Sequence, residues 1–264
     1  MKRKFALIIS MTLLLFLAAC GGANEKSEEA GETAEKKVIR AGSTAQSYPN
    51  GYEENGKLIG FDVEVLEKVA SNLGYEVEWV KSDFAGLMGQ LETGKIDTVA
   101  NFVAVTPERK EKYNFSETYA YAGATIVTHK DNDYDSLEDL KGKTVSGVLG
   151  SNNVKNLENY DPEIIPKTYE TRDGAMNDAI NKRVDGYVNS KSSLIAEIEK
   201  GDLPLEFVGD PFVYEDIALP FMKNEQGEKL SKEFNAEIKK LREDGTLTEL
   251  SKKYFADEDI TVKK

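Results

Sequence analysis

Arg109 stands in the run Thr106-Pro107-Glu108-Arg109-Lys110-Glu111-Lys112. A hydroxyl just before a proline marks a helix start, with the threonine as cap and the proline at the first helical position. An arginine in that first turn offers a planar fork of N–H donors, which can grip a carboxylate through two parallel bonds. Free backbone N–H groups at the same helix start add to the attraction for an anion. The same residue could equally serve a surface ion pair on a helix that is almost wholly charged. A second helix start lies at Gly150-Ser151-Asn152-Asn153, directly after Thr144–Val148, which reads as a strand. Its N–H groups could hold an anion while Ser151 acts as a plain N-cap, and the two roles are compatible. Covalent chemistry has little to work with. The chain has one histidine, His129, and one cysteine, Cys20. No disulfide within the chain and no cysteine metal cluster can form, and a Ser-His-Asp or Cys-His engine would have to use His129. No metal site and no cofactor is expected.

These residues need elements to position them, and helix and strand signals alternate from residue 38 onward. Val38–Gly42 reads as a strand. Phe61, Val65, Leu66, Val69, Ala70 and Leu73 form an apolar stripe at helical spacing, stopped by Gly74. Glu76–Val80 alternates as a strand, and Asp83 can cap a helix carrying Phe84, Leu87 and Leu91, ended by Gly94. Ile96–Ala100 and Ala124–Thr128 read as strands. In the second half, Ser136 caps a short helix to Leu140. Thr171–Asn181 and Ser190–Lys200 read as helices, with Val184–Val188 and Leu205–Val208 as strands. Leu230, Phe234, Ile238 and Leu241 make a late helical stripe closed by Gly245, followed by a short helix with Leu247, Leu250 and Tyr254. Strands alternating with helices predict an α/β class with largely parallel sheets and ligands at strand ends.

The chain has 264 residues and a formal net charge of −13. That acidity argues against nucleic acid, whose phosphates require a basic footprint. Lys2, Arg3 and Lys4 precede an apolar run from Phe5 to Ala19, too short for an ordinary spanning helix and patterned like an export signal. Leu17-Ala18-Ala19-Cys20-Gly21 then resembles the lipobox of bacterial lipoproteins. The resemblance implies that residues 1–19 are a cleaved signal peptide and that Cys20 becomes the lipidated N-terminus, palmitate included. An ordinary signal or an uncleaved anchor helix is the plainer alternative. Residues 20–37 are rich in Gly, Ala, Glu and Lys without apolar periodicity, and read as a disordered tether.

From residue 38 to 257 the sequence resembles the amino-acid group of substrate-binding proteins of ABC importers, solute-binding family 3. The stretches that carry the resemblance are Gly56-Lys57-Leu58-Ile59-Gly60-Phe61-Asp62-Val63, Gly94-Lys95-Ile96-Asp97, Thr106-Pro107-Glu108-Arg109, Ser136–Lys143 and Asp244-Gly245-Thr246. It implies a two-lobed fold of the type II periplasmic-binding-protein kind, two α/β lobes joined by a hinge of two crossover segments and closing on the ligand. Lobe one would be residues 38–128 plus 212–264 and lobe two residues 129–211, which puts His129 beside a crossover.

By the same resemblance Arg109 is the carboxylate clamp, assisted by Ser151 and Asn152 from the other lobe. Phe84, Tyr48 and Tyr52 fall at or near the family's aromatic walls, though each could equally be core. Two positions depart from the pattern. Ala104 stands where the family has a hydroxyl, five residues before the arginine, so that only its backbone can serve. Ser190 stands where the family has the aspartate that binds the ammonium, and a serine brings no charge. Glu215 or Asp216, with Asp216 singled out, could supply the missing carboxylate. Val99-Ala100-Asn101 and Tyr113-Asn114-Phe115-Ser116 resemble the cystine-binding branch. The implied function is an extracytoplasmic, membrane-anchored receptor for a polar amino acid, cystine or cysteine among the options. It would act as a monomer that delivers its ligand to the membrane subunits of an ABC importer. An enzyme on the same fold, dehydratase-like, and a ligand-sensing lipoprotein without transport are the alternatives.

Overall fold

A computed structural model describes residues 37–263. The signal segment 1–19, Cys20 and the tether up to residue 36 lie outside the described residues. The described chain forms two α/β lobes with separate apolar cores on either side of a cleft.

The first lobe opens with β1 (Lys37–Ser43), a small antiparallel meander of β2 (Gln46–Ser47), β3 (Gly51–Glu54) and β4 (Lys57–Ile59), and helix α1 (Phe61–Asn72). The predicted stripe is the buried face of α1: Phe61, Val65, Leu66, Val69 and Ala70 are fully enclosed. The chain enters α1 through Gly60 at φ 136°, where a Cβ would stand 2.4 Å from the Asn50 carbonyl oxygen. That close approach lets the Phe61 and Asp62 N–H groups, which no helical turn can satisfy, donate to the Pro49 and Asn50 carbonyls at 3.0 and 2.9 Å. Next come β5 (Tyr75–Lys81), α2 (Phe84–Glu92) and β6 (Thr98–Val99), with strands ordered β5-β1-β6, all parallel. Asp83 caps α2 by accepting from the Gly86 N–H at 2.8 Å. The Ile96–Ala100 strand shrinks to two residues, and its C-terminal end leads into the cleft at Asn101 and Phe102.

Helix α3 (Pro107–Lys112) and β7 (Tyr113–Phe115) lead to β8 (Ala120–His129), which crosses into the second lobe. There β9 (Thr144–Val148), α4 (Asn152–Tyr160), β10 (Ile165–Tyr169), α5 (Arg172–Ile180), β11 (Gly186–Ser190) and α6 (Lys191–Gly201) follow. The chain returns on β12 (Leu205–Ile217), much longer than the four residues its apolar run suggests. The sheet is ordered β10-β9-β11-β8-β12; β9 is parallel to both neighbours, and β8 is antiparallel to β11 and β12. Pairing of β12 with β8 shifts register between Val208 and Val213, where the ribbon bends between lobes.

The last segment rejoins the first lobe. β13 (Pro220–Met222) pairs with β7, and α7 (Glu225–Glu243) and α8 (Thr246–Tyr254) pack on α1. Leu230, Phe234, Ile238 and Leu241 are the buried face of α7, as their spacing predicts.

Candidate functional site

A cleft of about 430 Å³ lies between the lobes, at the loops that follow β1, β6, β9 and β11. Arg109 lines it from α3. Thr106 Oγ1 accepts from the Arg109 N–H at 3.1 Å, fixing the helix start that the Thr-Pro pair predicts. The guanidinium spends two of its N–H groups on backbone: Nη1 donates to the Ala104 carbonyl at 3.0 Å, and Nη2 to the Gly150 carbonyl across the cleft at 3.3 Å. Its centre lies 5.5 Å from the ring centroid of Phe84. Burial pushes its pKa below the usual arginine value, partly opposed by the charge of Glu215. An anion entering the cleft would offset that desolvation cost by pairing with the guanidinium.

Opposite Arg109 sits the start of α4. Ser151 is its N-cap residue, with an extended backbone and a buried Oγ that has no partner. Asn152 turns its amide away from the helix end and donates to Glu215 Oε1 on β12. Glu215 therefore places a carboxylate on the cleft wall beside the arginine.

Part of the floor on the second lobe, Asn153, Asn189 and Ser190, is neutral. Ser190 is 3% exposed, and its Oγ donates to Ser193 Oγ at 2.8 Å. Asn189 donates to the Tyr187 hydroxyl at 2.8 Å and accepts from Asn153 at 3.2 Å. Below them Arg172 is buried against Glu197 at 3.3 Å, and burial raises the Glu197 carboxyl to about 7 despite that partner.

Several contacts join the two lobes around the cleft. Arg172 donates to the Tyr48 carbonyl, Asn50 Nδ2 donates to Ser193 Oγ at 3.1 Å, and Glu108 pairs with Lys155. At the rim, the Lys200 ammonium sits 3.9 Å from the Tyr48 ring centroid and 4.8 Å from that of Tyr52, and 3.9 Å from Glu54 Oε1.

The cleft thus brings together Arg109, Ser151, Asn152, Phe84, Ala104 and Ser190 of the predicted residues, and Ala104 serves through its carbonyl alone. It leaves out Tyr48, Tyr52 and Asp216. The two tyrosines pack edge to face, 4.9 Å between centroids, under Lys200. Asp216 points the other way along β12, 3.6 Å from the Lys263 ammonium, and its neighbour Glu215 takes the cleft side. Asn50 and Arg172 line the cleft and carry no local sequence signal, each being delivered by tertiary packing, whereas Asn101 closes the Val99-Ala100-Asn101 stretch noted in the sequence. His129 ends β8, where its Nδ1 accepts from the Asp131 N–H at 3.1 Å.

Comparison with known proteins points the same way as the geometry. The profile of "Bacterial extracellular solute-binding proteins, family 3" matches residues 39–257. The "Probable amino-acid-binding protein YxeM" of Bacillus subtilis (strain 168) is 53% identical over 263 residues, covering 98% of this chain and 97% of its own. The structure described as "An ancestral arginine-binding protein bound to glutamine" superposes with a TM-score of 0.77 at 32% identity, over 84% of this chain and 99% of that one. The "Putative L-Cystine ABC transporter from Listeria monocytogenes" superposes with a TM-score of 0.78 at 25% identity, over 86% of this chain and 98% of that one. The fold is the two-lobed type II binding-protein fold.

Proposed function

The chain belongs to family 3 of the bacterial extracellular solute-binding proteins, and from that membership we propose that it captures a polar amino acid between its lobes and hands it to the membrane subunits of an ABC importer. It is a binding protein and not an enzyme. The observation that carries the reading is the pairing of Arg109 on one lobe with the α4 start on the other. A carboxylate placed there bonds both lobes at once, so the ligand stabilises the closed form through contacts that the open form lacks.

The amino group finds no charged partner at Ser190 and is held instead by Glu215. A carboxylate beside the clamp suits the short span between the two charged ends of an α-amino acid. The neutral amides and hydroxyls on the floor, Asn153, Asn189 and Ser190, suit a polar side chain, and L-cystine heads the candidates. We take lobe one as residues 38–128 plus 212–264 and lobe two as residues 129–211, with the end of β8 from Ile126 packing into the cores of lobe two. Lipidation at Cys20 tethers the receptor to the outer face of the cell membrane; Cys20→Ser chain remaining in the membrane fraction would refute the anchor.

The test of the binding reading is a melting-point screen of residues 21–264 against the amino acids and L-cystine, followed by calorimetry on each hit. A hit whose binding disappears in Arg109→Ala supports the assignment. A hit of equal affinity in wild type and Arg109→Ala overturns it.

A further inference from the structure

We infer that Asp62 is the positioning residue of the ligand cleft: its buried carboxylate holds the main chain at Phe102, a wall of that cleft, in a conformation the residue would not keep unaided. The inference rests on the cleft being the binding site proposed above.

Asp62 lies in the first turn of α1 and is fully buried. It reaches three separate segments. Its Oδ2 accepts from the Phe102 N–H, its Oδ1 accepts from the Tyr119 hydroxyl at 3.0 Å, and its own N–H donates to the Asn50 carbonyl at 2.9 Å. Phe102 has φ 54°, in the left-handed region that an L side chain enters only under constraint. On either side of it sit two parts of the cleft. Asn101 Oδ1 accepts from the Thr44 N–H at 3.0 Å and hydroxyl at 2.9 Å, and the Ala104 carbonyl holds Arg109 Nη1. A change of backbone at 102 therefore moves the group that aims the arginine. Asn50, the third segment, bridges to Ser193 on the opposite lobe.

An apolar side chain in this place would be easier to bury than a carboxylate. Only an acceptor can satisfy the Phe102 N–H there. Burial raises the Asp62 carboxyl to about 7, opposed by the Phe102 N–H, then the Tyr119 hydroxyl, and at longer range the Arg172 guanidinium of α5. Those are the groups that face it, and protonation weakens the acceptor that Phe102 depends on.

Hydrogen exchange of the Phe102 amide in the unliganded chain tests the hold directly, before any ligand is known. In wild type its protection, corrected for the intrinsic rate, falls several-fold as pH drops from 8 to 6, while that of Thr125 in β8 stays constant. In Asp62→Leu, which has no acceptor, protection relative to Thr125 is at least tenfold lower at pH 8 and flat with pH. Equal relative protection of the Phe102 amide in Asp62→Leu and wild type at pH 8 overturns the inference. Binding of L-cystine and L-arginine is then measured in Phe102→Gly with and without Asp62→Leu. Glycine adopts the left-handed conformation freely, so Asp62→Leu weakens binding at least tenfold in the otherwise wild-type chain and under threefold in that background. Equal losses in both backgrounds mean a merely structural role and overturn the positioning claim. If neither probe binds wild type, the proposed ligand class fails while the exchange result still decides the role of Asp62.

Discussion

Lys200→Met removes one charge from the cleft rim, keeps the apolar stem, and touches no ligand-binding residue. In wild type the ammonium lies over the Tyr48 and Tyr52 rings and near Glu54, all from the opposite lobe. A cation over an aromatic face at an exposed site contributes about 0.5–1 kcal/mol. The ion pair is half exposed on both sides and adds a few tenths of a kcal/mol at most. Counting one such contact for each of the two rings, the latch is therefore worth about 1–2 kcal/mol, or roughly 5- to 30-fold in the ratio of closed to open forms. Ligand affinity falls by the same factor, because the ligand is held in the closed form. The contact forms only as the lobes meet, so the loss appears in the dissociation rate and leaves association unchanged. Calorimetry and stopped-flow measurements with the amino acid identified by melting-point screening read both quantities. A dissociation constant within twofold of wild type, with an unaltered off-rate, would refute the reasoning.

Three further outcomes are expected. Arg109→Lys keeps the charge and loses the fork, and calorimetry should show amino-acid affinity reduced about 10- to 100-fold, as for one charge-assisted bond; an unchanged affinity means the arginine is not the clamp. Glu215→Gln keeps the shape and the bond with Asn152 but lacks the charge for an ammonium, so affinity should drop more than about tenfold, again one charged bond; retention of affinity would move the ammonium site elsewhere. The Glu197 carboxyl, raised to about 7 from an ordinary 4.5, keeps a proton in the folded chain that the unfolded chain releases. Its contribution to stability is therefore greatest below the unfolded value, falls as pH rises through that window, and levels off above about 7, a change of up to about 3 kcal/mol. Urea unfolding at pH 5 and pH 8 should show a smaller difference in Glu197→Gln than in wild type, and equal differences would exclude this source.

The sequence showed its long helices clearly and its short edges poorly. The stripes of α1 and α7 repeat at helical spacing because one face of each is wholly buried. β10 went unread because it is an edge strand containing Pro166 and Lys167, half exposed on both faces, and so lacks an apolar alternation. β2, β3, β4, β7 and β13 are each too short to show a period. At the site, Arg109 and Ser151 were legible since both sit at helix starts marked by neighbouring residues, Thr106 with Pro107 and Gly150. Arg172 and Tyr48 meet from positions 124 residues apart, which no local pattern records. The choice between Glu215 and Asp216 turned on strand direction alone. Neighbours on a strand face opposite sides, and only the register of β12 against β8 decides which one meets the cleft.

The double crossing through β8 and β12 also dictates an order of assembly. The cores of the second lobe draw almost entirely on residues between Ile126 and Val208, so that segment can close its interior without the last helices of the chain. The first lobe is made of both chain ends: Ile39 and Phe61 share one core with Phe234, Phe255 and Ile260. Its interior has to wait for the final helices, through a loop closure spanning most of the chain. The amino-terminal strands are thus first in the chain and among the last to be buried, and a chain truncated before α7 should keep a foldable second lobe attached to an unfinished first.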